Sequence, residues 1–276
     1  MRKKCYAKIN LSLDCLYQRA DGYHEIDTIM ARIDLFDELI INKNNSGNFS
    51  YSSNDTSIGS IEDNLVFKVW NALKDRTTCP GVDVRLIKNI PIAAGLAGGS
   101  TDAAEMIKAL NTLWNLSLSK KEMMEIGASL GADIPFFFTD SPARAKGIGE
   151  IICPFENNLD MKILLINDGT HISSADVYKN LKDYGHIEND LIAKKLEDGD
   201  KSVILYFENV MEDVVTKLYP HMLDIKSDLL ENGAKISLVS GSGASVFGIF
   251  MNDYDLNLAT KNMKDKYSFV KKVELI

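Results

Sequence analysis

Residues 90–110 read IPIAAGLAGGSTDAAEMIKAL, a run of small residues that leads directly into a helical pattern. Gly95, Gly98 and Gly99 let backbone amides approach an anion without interference from Cβ atoms. A helix is predicted to begin at the capping residues 100–102, and its N-terminus would direct a partial positive charge to the same place. The stretch matches neither the Walker A pattern nor the dinucleotide pattern GxGxxG. It therefore predicts a phosphate-binding loop of another kind, with a tight structural connection as the alternative.

Near the start of the chain, residues 5–13 alternate between apolar and polar side chains. This period of two predicts a half-buried β-strand. Its polar face would carry Lys8, Asn10 and Ser12, so Lys8 and Asn10 would project side by side.

The remaining sequence is predicted to mix helices and strands. The predicted elements are, in chain order, a strand-rich segment over 26–41, a polar hairpin or loop over 42–60, a helix capped by Asp63 or Asn64, a strand over 83–87, a helix that starts at the capping box Ser119 and Glu122, a strand over 161–166, and a glycine-serine loop over 240–245. The pattern restarts after about residue 155. The length then predicts two domains, 1–155 and 156–276.

Charge and composition favour a small-molecule substrate. The 276 residues carry 31 basic and 39 acidic side chains, a formal charge of −8. An acidic chain without a long basic run predicts no nucleic-acid partner and no membrane partner. No secretion signal and no membrane span of about 20 apolar residues can be read. The four scattered cysteines form no CxxC pair, so reduced thiols and a cytoplasmic location are expected.

Two charged residues are candidates for catalysis. Asp133 stands in a sharp turn between Gly131 and Pro135, where a turn aspartate is the simpler interpretation, and Lys8 alone is typical of a solvated strand lysine. Together with a phosphate-binding loop and Mg²⁺ they suit phosphoryl transfer. The carboxylate would accept a hydroxyl proton, and the ammonium would orient the carboxylate and offset charge.

Tyr23 and His24 are candidates for binding a base, because an aromatic ring and a hydrogen-bonding imidazole are adjacent in a turn. A tyrosine packed under a loop, next to a capping histidine, is the alternative. The four histidines lie too far apart in the sequence for a recognisable zinc-binding motif.

Five segments, taken in order and spacing, resemble the GHMP small-molecule kinases. They are AKINLSL (7–13), RADGYHEIDTIM (19–30), PIAAGLAGGSTDAA (91–104), LGADIPFF (130–137) and SGSGASVF (240–247). The resemblance implies an α/β fold of two lobes, an N-terminal lobe similar to the second domain of ribosomal protein S5 and a C-terminal ferredoxin-like lobe. It also implies ATP and Mg²⁺ as cofactors. The acidic chain is consistent with a monomer or weak homodimer.

The resemblance assigns roles to individual positions. Asp133 would be the general base and Lys8 the charge-stabilising residue. The positions that match the family's ATP-binding residues are Asn64, Pro91, Ala93, Ala94, Gly95, Leu96, Ala97, Gly98, Gly99, Ser100 and Thr101. The positions that match its substrate-binding residues are Asn10, Tyr23, His24, Ser174 and Tyr178. Mg²⁺ is expected to be held mainly through ATP, with Ser100 as an additional candidate ligand. Ala94 and Ala97 stand where the family often has glycine, which adds two methyl groups near the phosphate path.

AKINL followed by RADGYHE is similar to one branch of this family. That branch transfers phosphate from ATP to the 2-hydroxyl of a cytidine diphosphate sugar alcohol in the non-mevalonate route to isoprenoid precursors. One alternative is a kinase of the same family with another acceptor, such as homoserine or mevalonate. The other is a non-catalytic nucleotide-binding regulator.

Overall fold

The computed structural model describes residues 1–55 and 60–276, and their contacts divide the chain into two compact units. The first unit comprises Met1–Ala7, Leu35–Ile90 and Ala97–Asp140. The second unit comprises Lys8–Asp34, Pro91–Leu96 and Ser141–Ile276. Two long paired strands, β1 (Arg2–Gln18) and β2 (His24–Lys43), contribute residues to both units. The predicted domain division at 155/156 stays a prediction.

The described part of the first unit combines short strands with three α-helices. Its further elements are β3 (Phe49–Ser53), α1 (Leu65–Leu73), β4 (Val82–Ile87), α2 (Gly98–Leu113), α3 (Lys120–Leu130) and a 3-10 helix over Ile134–Phe138. β4 runs antiparallel to the second half of β2, and β3 runs parallel to β4. Residues 42–60 were predicted as a polar hairpin or loop, and the structure has the strand β3 there, paired with β4 in parallel rather than in a hairpin. The part of that prediction over residues 56–59 lies outside the described residues.

Apolar residues at helical spacing build the core of the first unit. Val66, Val69 and Leu73 are buried on one face of α1, and α1 packs against α2. On α2, Ile107 and Leu110 are fully buried, as their spacing predicted. The capping box at the start of α3 is confirmed, as is Asn64 as the cap of α1.

The predicted start of α2, at residues 100–102, is wrong by two to four residues. The helix begins at Gly98, and Ala97 is its N-cap in the left-handed region, at φ 53°. Residues 100–102 therefore lie inside the first turns and cap nothing. Asp102 has a stronger partner than the helix end, because its buried carboxylate accepts a hydrogen bond from Lys88 at 2.7 Å.

The second unit is built around an antiparallel sheet. Its further elements are β5 (Ala143–Gly147), β6 (Ile151–Pro154), β7 (Lys162–Asn167), α4 (Ser174–Asn180), α5 (Asn189–Glu197), α6 (Glu212–Leu218), α7 (His221–Glu231), β8 (Ile236–Val239), β9 (Val246–Phe250), α8 (Asp253–Lys264) and β10 (Phe269–Val273). Four of the strands follow the order β10-β7-β9-β8, with every pair antiparallel. α7 and α8 pack against this sheet. The order and the βαββαβ succession are those of a ferredoxin-like fold, as predicted.

β1 is buried on both faces, so the expectation of a half-buried strand is wrong. Every residue from Ala7 to Cys15 is buried, and the polar side chains Lys8, Asn10 and Ser12 are 0–4% exposed. Buried polar groups are costly unless they are hydrogen-bonded. The polar face of β1 must therefore find its partners within the protein.

Among the described residues, no helix is long and apolar enough to cross a membrane.

Candidate active site

The segment 91–96 of the glycine-rich stretch is held by backbone hydrogen bonds within the second unit. The Lys8 amide donates to the Leu96 carbonyl at 3.1 Å, and the Ser245 amide donates to the Ala94 carbonyl at 3.1 Å. Strand β1 and the loop 240–245 therefore fix this segment from two sides. The glycine-rich segment 91–96 and the glycine-serine loop 240–245 are far apart in the sequence and are hydrogen-bonded to each other in the structure.

Gly95 lies where these loops meet. Its φ is +72°, and a Cβ atom there would stand 2.0 Å from the Ser240 carbonyl oxygen. The Ser240 hydroxyl donates to the Gly95 carbonyl at 3.0 Å. It also accepts a longer hydrogen bond, 3.4 Å, from the backbone amide of Asn10. Only glycine fits this position, for both its backbone conformation and its space.

A row of polar side chains crosses from β1 to β2. The Lys8 ammonium donates to Asn10 Oδ1 at 2.6 Å, and Asn10 Nδ2 donates to Thr28 Oγ1 at 2.8 Å. The Thr28 hydroxyl donates in turn to the Ser12 carbonyl at 2.6 Å. The structure therefore joins two predicted site residues, Lys8 and Asn10, and adds Thr28. Only the register of β1 against β2 could have revealed Thr28.

His24 has two aromatic neighbours in the second unit. Its ring centroid lies 5.0 Å from that of Tyr178, at 28° between planes, and 6.0 Å from that of Tyr184, at 10°. His24 is buried, whereas Tyr23 is 61% exposed and its amide donates to Asp21. Burial lowers the pKa of His24, so its imidazole is neutral near pH 7. The structure thus brings His24 and Tyr178 together, and Tyr184 was not singled out from the sequence.

Ser174, another predicted substrate residue, lies at the start of α4 with its hydroxyl 2.6 Å from that of Ser242. This hydrogen bond links the helix that carries Tyr178 to the loop 240–245. Ser174 is therefore bonded to the loop 240–245. The same loop holds the segment 91–96 through Ser245 and accepts a hydrogen bond from the backbone amide of Asn10.

The other half of the glycine-rich stretch begins α2 in the first unit. The Thr101 amide donates to the Ala97 carbonyl at 3.0 Å. The amides before it, at 98–100, precede the first residue that can find an acceptor within the helix. Such amides, with the helix dipole, form an anion-binding site. Thr101 is 2% exposed, whereas Gly99 is exposed.

A buried charge cluster supports this helix start. Lys88 donates to both Asp37 and Asp102, and Asp37 also accepts the amides of Asn89 at 2.5 Å and Ile90 at 2.8 Å. Burial raises the pKa of Asp102 to about 7, helped by the neighbouring Asp37 carboxylate and opposed by Lys88. The cluster ties the residues just before the loop to those just after it. The only sequence signal was a lysine and an aspartate flanking the glycines.

Asp133 and Asn64 also lie in the first unit. Asp133 is partly buried and immediately precedes the 3-10 helix over Ile134–Phe138. Asn64 Oδ1 accepts the Val66 amide at 2.9 Å, and its Nδ2 donates to the Tyr51 hydroxyl at 3.2 Å. Asn64 therefore has a structural role as a cap, whatever it contributes to a ligand.

Residues 64–140 match the family model described as GHMP kinases N terminal domain, and residues 189–268 match GHMP kinases C terminal. The chain belongs to the GHMP kinase family and is an ATP-dependent kinase. The predicted fold class, with its N- and C-terminal kinase domains, is confirmed.

Within that family, the chain is similar over its full length to proteins named 4-diphosphocytidyl-2-C-methyl-D-erythritol kinase. It is 41% identical to the one from Finegoldia magna, with 100% of both chains covered. It is 39% identical to the one from Clostridioides difficile, with 98% of this chain and 93% of the relative covered. A crystal structure of 4-(cytidine 5'-diphospho)-2C-methyl-D-erythritol kinase superposes with a TM-score of 0.85 at 27% identity, covering 100% of this chain and 99% of the other.

Proposed function

We propose that this kinase transfers the γ-phosphoryl group of ATP to the 2-hydroxyl of 4-diphosphocytidyl-2-C-methyl-D-erythritol, in the non-mevalonate route to isoprenoid precursors. The proposal is supported by full-length relatives of that name at about 40% identity. The observation that carries the chemistry is the buried polar row that starts at Lys8. Lys8 is 4% exposed, its ammonium is held by Asn10, and a fixed positive charge of this kind stabilises the negative charge that a phosphoryl transfer develops.

In the proposed reaction, the 2-hydroxyl oxygen attacks the γ-phosphorus and the bond from that phosphorus to the β,γ-bridging oxygen breaks. The hydroxyl proton passes to the Asp133 carboxylate, and ADP leaves. Lys8 offsets the negative charge that develops, and its bond to Asn10 fixes the direction of the ammonium. Asn10 is placed to position the polyol beside it.

The ATP phosphates are proposed to lie along residues 91–101. The segment 91–96 is held rigidly by the loop 240–245, and the amides that begin α2 supply donors without intrahelical acceptors. Ala93 and Ala97 adopt positive φ, at 52° and 53°, so these positions keep a glycine-like backbone while carrying methyl groups. Asn64 is proposed to approach the adenine.

Mg²⁺ is proposed to be held mainly by the phosphate oxygens of ATP. Among the described residues, no group of three or more His, Cys, Asp or Glu side chains is arranged to hold a metal ion. Mg²⁺ characteristically binds substrate phosphates, water and one or two protein oxygens, and Ser100 is the proposed protein ligand. When bound, it would neutralise charge on the β- and γ-phosphates.

The base of the acceptor is proposed to bind at Tyr23, His24 and Tyr178, with Ser174 beside them. His24 and Tyr178 already lie within ring-contact distance of each other. A neutral imidazole and a phenol ring offer both hydrogen bonding and an apolar face to a pyrimidine.

The proposal is tested by ADP release with ATP and Mg²⁺ against four conditions: the cytidylylated acceptor, homoserine, mevalonate and no acceptor. Release with the cytidylylated acceptor alone supports it. Release of ADP with another acceptor supports the assignment as a kinase and refutes the proposed cytidine-binding site. Silence with ATP still bound favours a nucleotide-binding regulator.

The role of Asp133 is tested separately with Asp133→Asn. We expect kcat to fall by roughly 10²–10⁴-fold, the usual worth of a general base, while ATP affinity is unchanged. Asp75→Asn is the matched control, since Asp75 is an exposed aspartate of the same unit. Equal turnover by Asp133→Asn and wild type would refute the assignment.

A further inference from the structure

Asp14 is a carboxylate buried in the middle of β1, at 1% exposure. It accepts the amide of Gly185 at 3.2 Å and the amide of Ile187 at 2.9 Å. The Gly185 amide also donates to the Cys15 carbonyl at 2.8 Å. A buried carboxylate is tolerated when backbone donors satisfy it. The contacts therefore anchor the connection between α4 and α5, residues 181–188, to the strand.

Asn189 anchors the far end of the same connection. It is 1% exposed, its Nδ2 donates to the Asp27 carbonyl at 2.8 Å, and its Oδ1 accepts the Ser12 hydroxyl. The connection is therefore fixed to β1 and to β2. The buried anchors at both ends fix where the residues of the connection lie.

The connection carries Tyr184 to the edge of His24. The Tyr184 hydroxyl lies 3.3 Å from His24 Nε2 and donates to the Leu181 carbonyl at 3.4 Å. A hydroxyl has one proton, and a carbonyl can only accept. With that proton directed to Leu181, the tyrosine oxygen accepts from Nε2–H, which leaves Nδ1 of a neutral imidazole as an acceptor.

We propose that Tyr184 is a positioning residue that holds the His24 imidazole in one orientation and one tautomer, and that it thereby determines the preference of the acceptor site for cytosine over uracil. This inference rests on the proposed function of His24 in binding the acceptor's base. Cytosine has an amino donor at position 4 and an acceptor at N3, whereas uracil has a carbonyl acceptor at position 4 and a donor at N3. An accepting Nδ1 directed at position 4 therefore favours cytosine. An imidazole that exchanges tautomers can satisfy either base, whereas a fixed one discriminates between them.

The first test is independent of turnover. Nitrogen chemical shifts of His24 in protein labelled with ¹⁵N-histidine report which ring nitrogen carries the proton. We expect the Nε2–H form in the wild type and a mixture of both tautomers in Tyr184→Phe, which keeps the ring and removes only the hydroxyl. The matched control is Tyr267→Phe, which removes a hydroxyl that donates to Asp228. The same tautomer in wild type and Tyr184→Phe would overturn the inference.

The second test is kinetic and uses the cytidylylated acceptor and its uridylylated analogue. In Tyr184→Phe we expect the KM for the cytidylylated acceptor to rise about three- to tenfold, the worth of one hydrogen bond, while kcat and the KM for ATP hold. The preference for cytidine over uridine should fall by a similar factor. Tyr267→Phe should match wild type in every constant.

Asp14→Asn provides an independent route to the same effect, because it weakens the anchor without touching His24. Its effect on the acceptor KM should not add to that of Tyr184→Phe, since both act through one contact. If wild type turns over the cytidylylated acceptor and Tyr184→Phe keeps its KM and base preference, the inference fails and the proposed function stands. If wild type neither turns over that acceptor nor binds cytidine diphosphate, the proposed function fails, and the base preference assigned to Tyr184 fails with it.

Discussion

Substituting Gly95 by alanine should disrupt the place where the two glycine-rich loops meet. The position has φ +72°, and a Cβ would stand 2.0 Å from the Ser240 carbonyl oxygen and 2.9 Å from the Gly243 carbonyl oxygen. Both neighbours are backbone atoms, which cannot rotate away as a flexible side chain would. The loops must separate by about 1.4 Å for the methyl group to move from 2.0 Å to an ordinary contact distance of 3.4 Å.

The cost has two parts. A left-handed conformation costs an L-residue other than glycine roughly 1–2 kcal/mol. Separating the loops also breaks the bond from the Ser240 hydroxyl to the Gly95 carbonyl, which is worth about 0.5–1.5 kcal/mol. The free energy of unfolding should therefore fall by about 1.5–3.5 kcal/mol. For a chain of this size, each kcal/mol shifts Tm by about 2–4 °C.

Gly169→Ala measures the cost of the left-handed backbone conformation without a steric clash. Gly169 also has a positive φ, +88°, but nothing lies within 4 Å of its Cβ position. It should show the conformational cost alone, about 1–2 kcal/mol. Thermal and urea unfolding of both variants measure the difference, and steady-state kinetics measure the ATP site. Because a 1 Å misplacement of a binding group can cost about a hundredfold, we expect kcat/KM for ATP to fall about ten- to a hundredfold in Gly95→Ala only.

The result that would refute this reasoning is equal behaviour of the two variants. If Gly95→Ala loses no more stability than Gly169→Ala and retains its kcat/KM for ATP, the contact between the loops does not constrain the phosphate-binding segment. Loss of stability with normal ATP kinetics would instead separate the packing of the loops from nucleotide binding.

Two further predictions concern the first unit. Because burial raises the folded-state pKa of Asp102 to about 7, the folded chain binds a proton more tightly than the unfolded chain between about pH 4 and pH 7. As pH rises from about 4 to about 7, wild type should therefore lose stability relative to Asp102→Asn by about 1.4 kcal/mol or more. Urea unfolding of both proteins at pH 4 and at pH 7 measures this. The same difference in unfolding free energy between the two proteins at both pH values would contradict the prediction. Asn64→Ala should lose about 1 kcal/mol through loss of the cap on α1, and Asn64→Asp, which keeps an acceptor for the Val66 amide, should lose less in the same assay.

The sequence predicted those elements whose signals are local. The capping box at Ser119 and the cap at Asn64 depend on residues within one helical turn, and both are confirmed. The start of α2 was predicted wrongly because the cap-forming preference of residues 100–102 is local, whereas the ion pair between Asp102 and Lys88 is formed in the tertiary structure. Tertiary contacts of this kind override local propensity.

The sequence predicted the separate motifs of the site but not the contacts between them. The segment 91–96 and the loop 240–245 each have a composition that favours close backbone approach, yet nothing in either sequence says that they touch each other. Thr28 and Tyr184 are ordinary residues of a strand and a helix connection, and they gain a role only through the neighbours that folding supplies. Contacts between residues 145 or 160 positions apart leave no local pattern to read.

The error on β1 shows what an alternating pattern can and cannot establish. In β4 the alternation does mark a solvated face, since Asp83 and Arg85 are exposed. In β1 the same alternation marks a buried polar face. Asn10 and Ser12 there have short side chains, whose few hydrogen-bonding groups are satisfied by Thr28 of β2 and by Asn189 at the start of α5. The period of two establishes that the two faces differ, but the kind of polar residue does not decide whether water or the protein covers the polar face, since Lys8 is buried in β1 and the short Asp83 is exposed in β4. That depends on the tertiary contacts of the strand.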